Sequence, residues 1–302
     1  MDPLYKKNEA ATRLAELAED QISRQYSDRD FIATVAAQPW PVRLCIDKVG
    51  DPASFRLISR KTGEPDEEIV FILHGILAKK DLPPIEKALG KNTKAGYMSQ
   101  QVVLTGLGAS VFDNAMEGIK AVEKQFRRNF DDDELETHSI FGTSEGFSTI
   151  QLSNRYVTSV HAANGLPTIV LGPDIDPKGH LARAMGDKYV RTDENVVQFF
   201  ELAEQGSSYE TTSAKRIKKG DIVEAQFSLS CVSLGPKRNN RWRMMGVLRS
   251  LTMLDRTYSE DAVDARGAQR QNESQLGNAS GRAGAGDGAN IKQLRRRVGH
   301  GV

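Results

Sequence analysis

Apolar residues at Ala10, Leu14, Leu17 and Ile22, with charged residues between them, have the spacing of one helical face and predict a helix over 5–25. Ser27 is placed to cap a second short helix through Ala37, with Asp28 and Asp30 in a first turn that suits carboxylates. Pro39 and Pro41 end it. Alternation then takes over. VRLCID (42–47) and SFRLIS (54–59) predict two half-buried strands across the turn Gly50-Asp51-Pro52. IVFILHG is apolar without interruption, which suits a strand buried on both faces of a sheet flanked by helices.

Strand and helix patterns then interleave. Strand 69–74 leads to a helix at 83–90, and strand 101–105 to a helix at 111–127 with Phe112, Met116, Ile119, Val122 and Phe126 on one face. Strand 138–141 leads to a helix at 147–154, followed by strands 157–162 and 168–172 and helices 180–185 and 193–204. This order predicts an α/β fold with a mostly parallel sheet and flanking helices. From Gly220, Val223, Ala225, Phe227, Leu229 and Cys231 alternate with Glu224, Gln226, Ser228 and Ser230, and RWRMMGVLRSLTMLD follows the loop GPKRNN. Two such runs predict a C-terminal antiparallel β-hairpin. Beyond residue 260 large apolar residues are scarce, so a disordered tail is expected, ending in IKQLRRRVGHGV. The expected organisation is an N-terminal helical segment (1–40), an α/β core (41–205), a hairpin appendage (206–259) and a disordered basic tail (260–302).

Composition narrows the setting. The 302 residues are 39% apolar and 27% charged, as in ordinary globular chains that bury a core without staples. Cys45 and Cys231 are the only cysteines, so neither a disulfide framework nor a Cys-rich zinc site is expected. The N-terminal stretch MDPLYKKNEA has no apolar core of signal-peptide length, and no apolar run approaches a membrane span. A soluble protein of a reduced intracellular compartment, cytoplasmic or nuclear and without a membrane partner, is the expectation. The net charge of +1 hides an asymmetry: residues 1–212 hold 24 Lys+Arg against 32 Asp+Glu, and residues 213–302 hold 17 against 8. Opposite-signed halves imply an anionic partner for the basic end or an internal attraction between the two.

The basic end carries the first functional expectation. Lys215, Arg216, Lys218 and Lys219 precede the hairpin, and Lys237, Arg238, Arg241 and Arg243 surround Trp242 at its tip. A basic β-ribbon with an aromatic ring can hold phosphates while the ring stacks on a base, and Arg295, Arg296 and Arg297 would add phosphate contacts. A nucleic-acid-associated or scaffolding protein, with a nucleic-acid or protein partner, is expected. No cofactor is. There is no P-loop, and TGLGAS departs from the dinucleotide fingerprint at Val111. Asp174, Asp176 and His180 are donors a divalent metal accepts, yet GPDIDP equally caps a helix, and no metal is expected. Asp131 to Glu134 form an acidic, solvated loop.

Gly142-Thr143-Ser144-Glu145-Gly146 matches G-x-S-x-G, the pattern of a nucleophile on a tight strand-to-helix turn. IVFILHG, VVLTGLGAS, GTSEG and LPTIVLGPDID, in that order, resemble segments of the α/β-hydrolase family over about residues 66–205. The resemblance implies Ser144 as nucleophile, Asp174 or Asp176 as acid, His180 as base, and the Ile76 and Glu145 amides as oxyanion donors. A serine esterase, active or inactive, is therefore the second expectation. SVHAANGLPTIVLGP, KKGDIVEAQFSL and MMGVLRSLTMLD also resemble proteins of mushroom-forming fungi, a resemblance that implies no activity.

Overall fold

The computed structural model describes residues 1–24, 30–38, 40–41, 44–50, 53–90, 93–137, 140–203, 208–235 and 241–280. Helix α1 (Lys7–Ser23) buries Ala10, Leu14 and Ala18, the face its periodicity marks. Strand β1 (Asp30–Phe31) and helix α2 (Ile32–Val35) follow. Strands β2 (Leu44–Val49) and β3 (Ser54–Ser59) pair antiparallel, as their alternation predicts, and β4 (Glu67–Glu68) joins β3. The long β5 (Phe71–Asp81) leads through residues 82–98 to β6 (Ser99–Thr105) and then helix α3 (Ser110–Arg127). Next come β7 (Leu135–Glu136) and the hairpin of β8 (Phe141–Ser144) with β9 (Phe147–Arg155). An excursion carries β10 (Thr158–Ser159), α4 (Val160–Ala163), α5 (His180–Met185) and β11 (Tyr189–Val190). Strands β12 (Gln198–Leu202), β13 (Tyr209–Thr211), β14 (Ile222–Ser233) and β15 (Trp242–Asp255) and helix α6 (Thr257–Ser280) complete the described order.

Five strands close on themselves in the cyclic order β5-β6-β9-β15-β14. Every neighbouring pair is antiparallel except β9 with β15, which run parallel. Numbered along the chain, this is the order 1-2-3-5-4-1 of an OB-fold-like barrel, a Greek-key closure that leaves no free edge among its members. Leu73, Leu77, Val102, Leu104, Ile150, Leu152, Phe227, Leu229, Leu248 and Leu251 fill its interior. Phe112, Ile119, Val122 and Phe126 of α3 join the same core. Helix α1 covers the outside of β5 and β14, where Leu14 and Ala18 share a cluster with Ile76 and Ile222. Burying each of the larger of these side chains is worth about 1.5–3 kcal/mol.

The mostly parallel sheet expected from the sequence is therefore corrected to a mixed, mainly antiparallel barrel. IVFILHG is buried on both faces for another reason: Phe71, Leu73 and Leu77 face the barrel interior, and Ile76 lies under α1. Residues 147–154 form a strand, not a helix, because Ile150 and Leu152 alternate inward against Gln151 and Ser153. Residues 193–204 likewise hold strand β12 after one 3-10 turn, Asp193–Asn195. The hairpin expected as an appendage supplies two of the five barrel strands. Residues Met1–Ala262 make one compact unit. In the second, from Val263, α6 runs to Ser280 where disorder was expected, through Ala, Arg, Gln and Glu, which favour helix. Arg295, Arg296 and Arg297 lie outside the described residues.

Two glycines mark close approaches. A Cβ on Gly246 of β15 would lie 2.4 Å from Leu152 Cδ2, inside the barrel. A Cβ on Gly118 of α3 would lie 1.9 Å from the backbone oxygen of Ile32, where α2 crosses α3. Helix propensity alone favours Ala over Gly by about 1 kcal/mol, but a backbone oxygen cannot rotate away, and overpacking costs about 1–3 kcal/mol. Gly118→Ala is expected to lose up to about 2 kcal/mol net in denaturant unfolding; a stabilised variant would show that the helices do not cross this closely.

Candidate functional site

The residues of the hydrolase-like pattern are dispersed. GTSEG is not a strand-to-helix elbow. Ser144 pairs with Phe147 across a two-residue turn in which Glu145 (φ 53°) and Gly146 (φ 84°) are both left-handed, the geometry of a type I′ hairpin. Glu145 sits in a conformation unfavourable for a side-chain-bearing residue and is tied down by ion pairs to Lys7 Nζ (2.8 Å) and the Met1 amine. These partners hold its carboxyl down at about 2. Ile76 is fully buried, laddered to Thr105 on one side and Ile222 on the other, with no space for an oxyanion. Both Asp176 oxygens accept backbone N–H groups, from His180 and Ala182 at 2.8 Å each, so this carboxylate caps α5. His180 Nδ1 lies 2.8 Å from an Arg183 nitrogen. Among the described residues no hydrogen bond joins Ser144 to a histidine, to exposed Asp174 or to Asp176, and no His, Cys, Asp and Glu group is placed to hold a metal ion.

The basic hairpin tip is the loop between the fourth and fifth barrel strands. Lys237 and Arg238 lie outside the described residues. The last described rung is Leu234 N donating to the Arg241 carbonyl at 2.8 Å, and the Arg241 side chain is exposed. The partly buried Trp242 ring is engaged by other rings: it packs edge-on to Phe55 at 5.0 Å and against Phe130 at 5.3 Å. Arg243 donates to Glu136 at 2.6 Å, and the Trp242 amide to the Glu134 carbonyl. The end of the acidic run thus meets the hairpin through its backbone, and the charge pair across the contact is that of Arg243 with Glu136. Arg241 is the one of the three described tip residues left pointing to solvent.

Barrels of this topology present ligands the outer face of the second and third strands and the loops joining first to second and fourth to fifth. Here that face belongs to β6 and β9. Register sets its rows: Lys79 stands beside Val103, which pairs with Gln151, and Asp81 beside Gln101, which pairs with Ser153. Ser99 and Arg155 make the outermost pair. Lys79, Gln151 and Arg155 are exposed. Among the described residues, 82–90 and 93–98 border the face and carry exposed Lys87, Lys94 and Tyr97, the last 80% exposed. The base of this loop is firm. Ala95 packs with Tyr156, Val157 and Leu181, and Gly96 leaves no space for a Cβ beside Tyr189, 2.5 Å from its ring. Sequence periodicity missed these residues because the face exists only once 147–155 is a strand beside β6.

No family model and no curated protein sequence matches the chain. Among solved structures, gp2.5, a single-stranded DNA-binding protein encoded by bacteriophage T7, is similar at 11% identity and a TM-score of 0.30, over 62% of this chain and 86% of that one. A single-stranded DNA-binding protein from bacteriophage Enc34, in complex with ssDNA, is similar at 10% identity and a TM-score of 0.32, over 71% and 97%. Likenesses so slight carry no weight for the fold, which rests on the strand order above. No helix among the described residues is long and apolar enough to cross a membrane.

An unassisted serine hydroxyl is a poor nucleophile at neutral pH, so folded protein is expected to show no labelling by a fluorophosphonate probe. Labelling that vanishes in Ser144→Ala would contradict the hairpin placement of Ser144.

Proposed function

We propose that this chain binds single-stranded nucleic acid across the outer face of β6 and β9. One observation carries the reading: a closed five-stranded barrel of this order leaves its second and third strands facing outward with polar residues and Arg155, flanked by Lys79 of the first strand and bordered by a presented aromatic ring. Lys79 and Arg155 supply charge for the phosphate backbone, and Gln101, Gln151 and Ser153 supply donors and acceptors between them. Tyr97 supplies a stacking surface that any base can use, worth about 1–3 kcal/mol per stacked base. Arg241 extends the cationic surface onto the loop between the fourth and fifth strands. Single strands fit better than duplex, because stacking on Tyr97 needs an unpaired base.

The test is fluorescence anisotropy with a labelled oligonucleotide of about ten nucleotides, DNA and RNA, over a salt series. Binding is expected to weaken with salt, with a log–log slope of about −2 for three phosphate contacts. Tyr97→Ala is expected to weaken binding about tenfold, and Lys79→Glu with Arg155→Glu by at least as much. Salt-insensitive binding, or binding that ignores both variants, would sink the proposal.

A further inference from the structure

A second cationic feature lies where residues 212–220 cross the end of the barrel. That segment is held firmly. Ile217 is fully buried in the barrel core, and Lys80 donates to the carbonyls of Ala214, at 3.0 Å, and Ile217. The Gly220 amide bonds the Leu77 carbonyl at 2.9 Å, and Tyr5 Oη bonds the Gly220 carbonyl at 2.6 Å. Against it opens a cleft of about 410 Å³, lined by Lys215, Arg216, Lys218, Asp221, Arg256, Ser259 and Glu260. Its volume is in the range of small-molecule sites.

Four cations face two carboxylates on these walls. Asp221 accepts the Lys218 amide at 2.6 Å and the Ser259 hydroxyl, and burial pushes its proton affinity up. Arg216 and Arg256 converge on one oxygen of Glu201, at 3.1 and 2.7 Å, so two guanidiniums share a single carboxylate. Arg256 also stands 4.0 Å from Glu260, and Lys215 Nζ 3.0 Å from Glu86. Lys218 Nζ has no ion-pair partner among the described residues, and together with burial its charge depresses the proton affinity of Lys80. The walls themselves carry two more cations than carboxylates, Glu201 and Glu86 pair with them from beside the cleft, and Lys218 Nζ is left for a small anion that enters the space. Glu86 belongs to residues 82–98, so its pair with Lys215 joins the cleft to the loop that borders the β6–β9 face.

We propose that this cleft binds a phosphate group, carried either by the end of a nucleic-acid strand or by a free nucleotide, through Lys215, Lys218 and the guanidiniums of Arg216 and Arg256. The strand-end source rests on the function proposed above; the free-nucleotide source does not.

Three probes separate the sources on the full chain: an oligonucleotide of about ten nucleotides with hydroxyl ends, the same one phosphorylated at either end, and inorganic pyrophosphate. Each is titrated into wild type, Lys215→Glu with Lys218→Glu, and Lys79→Glu with Arg155→Glu, and circular dichroism checks that each variant is folded. The milder Lys218→Ala serves if the double reversal fails to fold. A terminal phosphate is expected to tighten wild-type binding about tenfold, the worth of one or two charge-assisted hydrogen bonds. The cleft variant is expected to lose that increment while keeping affinity for the hydroxyl-ended strand. Pyrophosphate binding that the cleft variant abolishes and the face variant keeps, without any oligonucleotide binding, would leave the cleft as a nucleotide site and end the strand reading. An increment that survives cleft reversal, or no increment together with no pyrophosphate binding, overturns the proposal.

Discussion

The structure depends on one short contact, the parallel pairing of β9 with β15, which rests on Gly246 beside Leu152 and Val247 beside Ser153. Without it the five strands are an open ribbon; with it they enclose a core. The contact is possible because Gly246 brings no Cβ into the space Leu152 fills. Where the parallel ladder stops, polar side chains continue the seam. Buried Asn154 donates to the Leu248 carbonyl at 3.1 Å and to the Glu194 carbonyl at 2.9 Å. Arg249 adds a bond to that same Glu194 carbonyl and pairs with Glu68 and the Glu194 carboxylate, drawing residues 192–195 across the closure. Arg56 and Arg249 outweigh the burial of Glu194 and hold its carboxyl below its ordinary value.

Closure also decides which surfaces are free to act. Helix α1 takes the outside of β5 and β14, and β3, with β2 beyond it, continues the same edge of β14 past the end of β5. The remaining outward ribbon, β6 with β9, is left to solvent and to the loop that presents Tyr97. Residues 212–220 meet that loop through the pair of Lys215 with Glu86. Neither the β6–β9 face nor the cleft depends on Ser144 or Asp176 of the hydrolase-like pattern, which serve a hairpin turn and a helix cap.

Much of the local structure was legible in the sequence. Helices α1 and α3, the β2–β3 pair and the β14–β15 hairpin follow from their periodicity, because each buries one face against one neighbour. What was not legible is long-range. IVFILHG carries the burial of a central parallel strand, and nothing local distinguishes a barrel wall under a helix from that case. FSTIQLSNR holds too few large apolar residues for its alternation to outweigh the helical alternative, and its misplacement hid the β6–β9 face. GTSEG supplies the glycines of an elbow, yet the same residue types suit a type I′ turn. Trp242 among arginines resembles a stacking ring; its aromatic partners Phe55 and Phe130 are more than a hundred residues away in the chain.

Amide hydrogen exchange of the full chain, with and without a single-stranded oligonucleotide of about ten nucleotides, tests the central claim most directly. The account predicts slowed exchange in residues 82–105 and 147–155, with α1 and the β2–β3 pair unchanged. Protection confined to α1 or the β2–β3 pair, or none at saturating oligonucleotide, would contradict it.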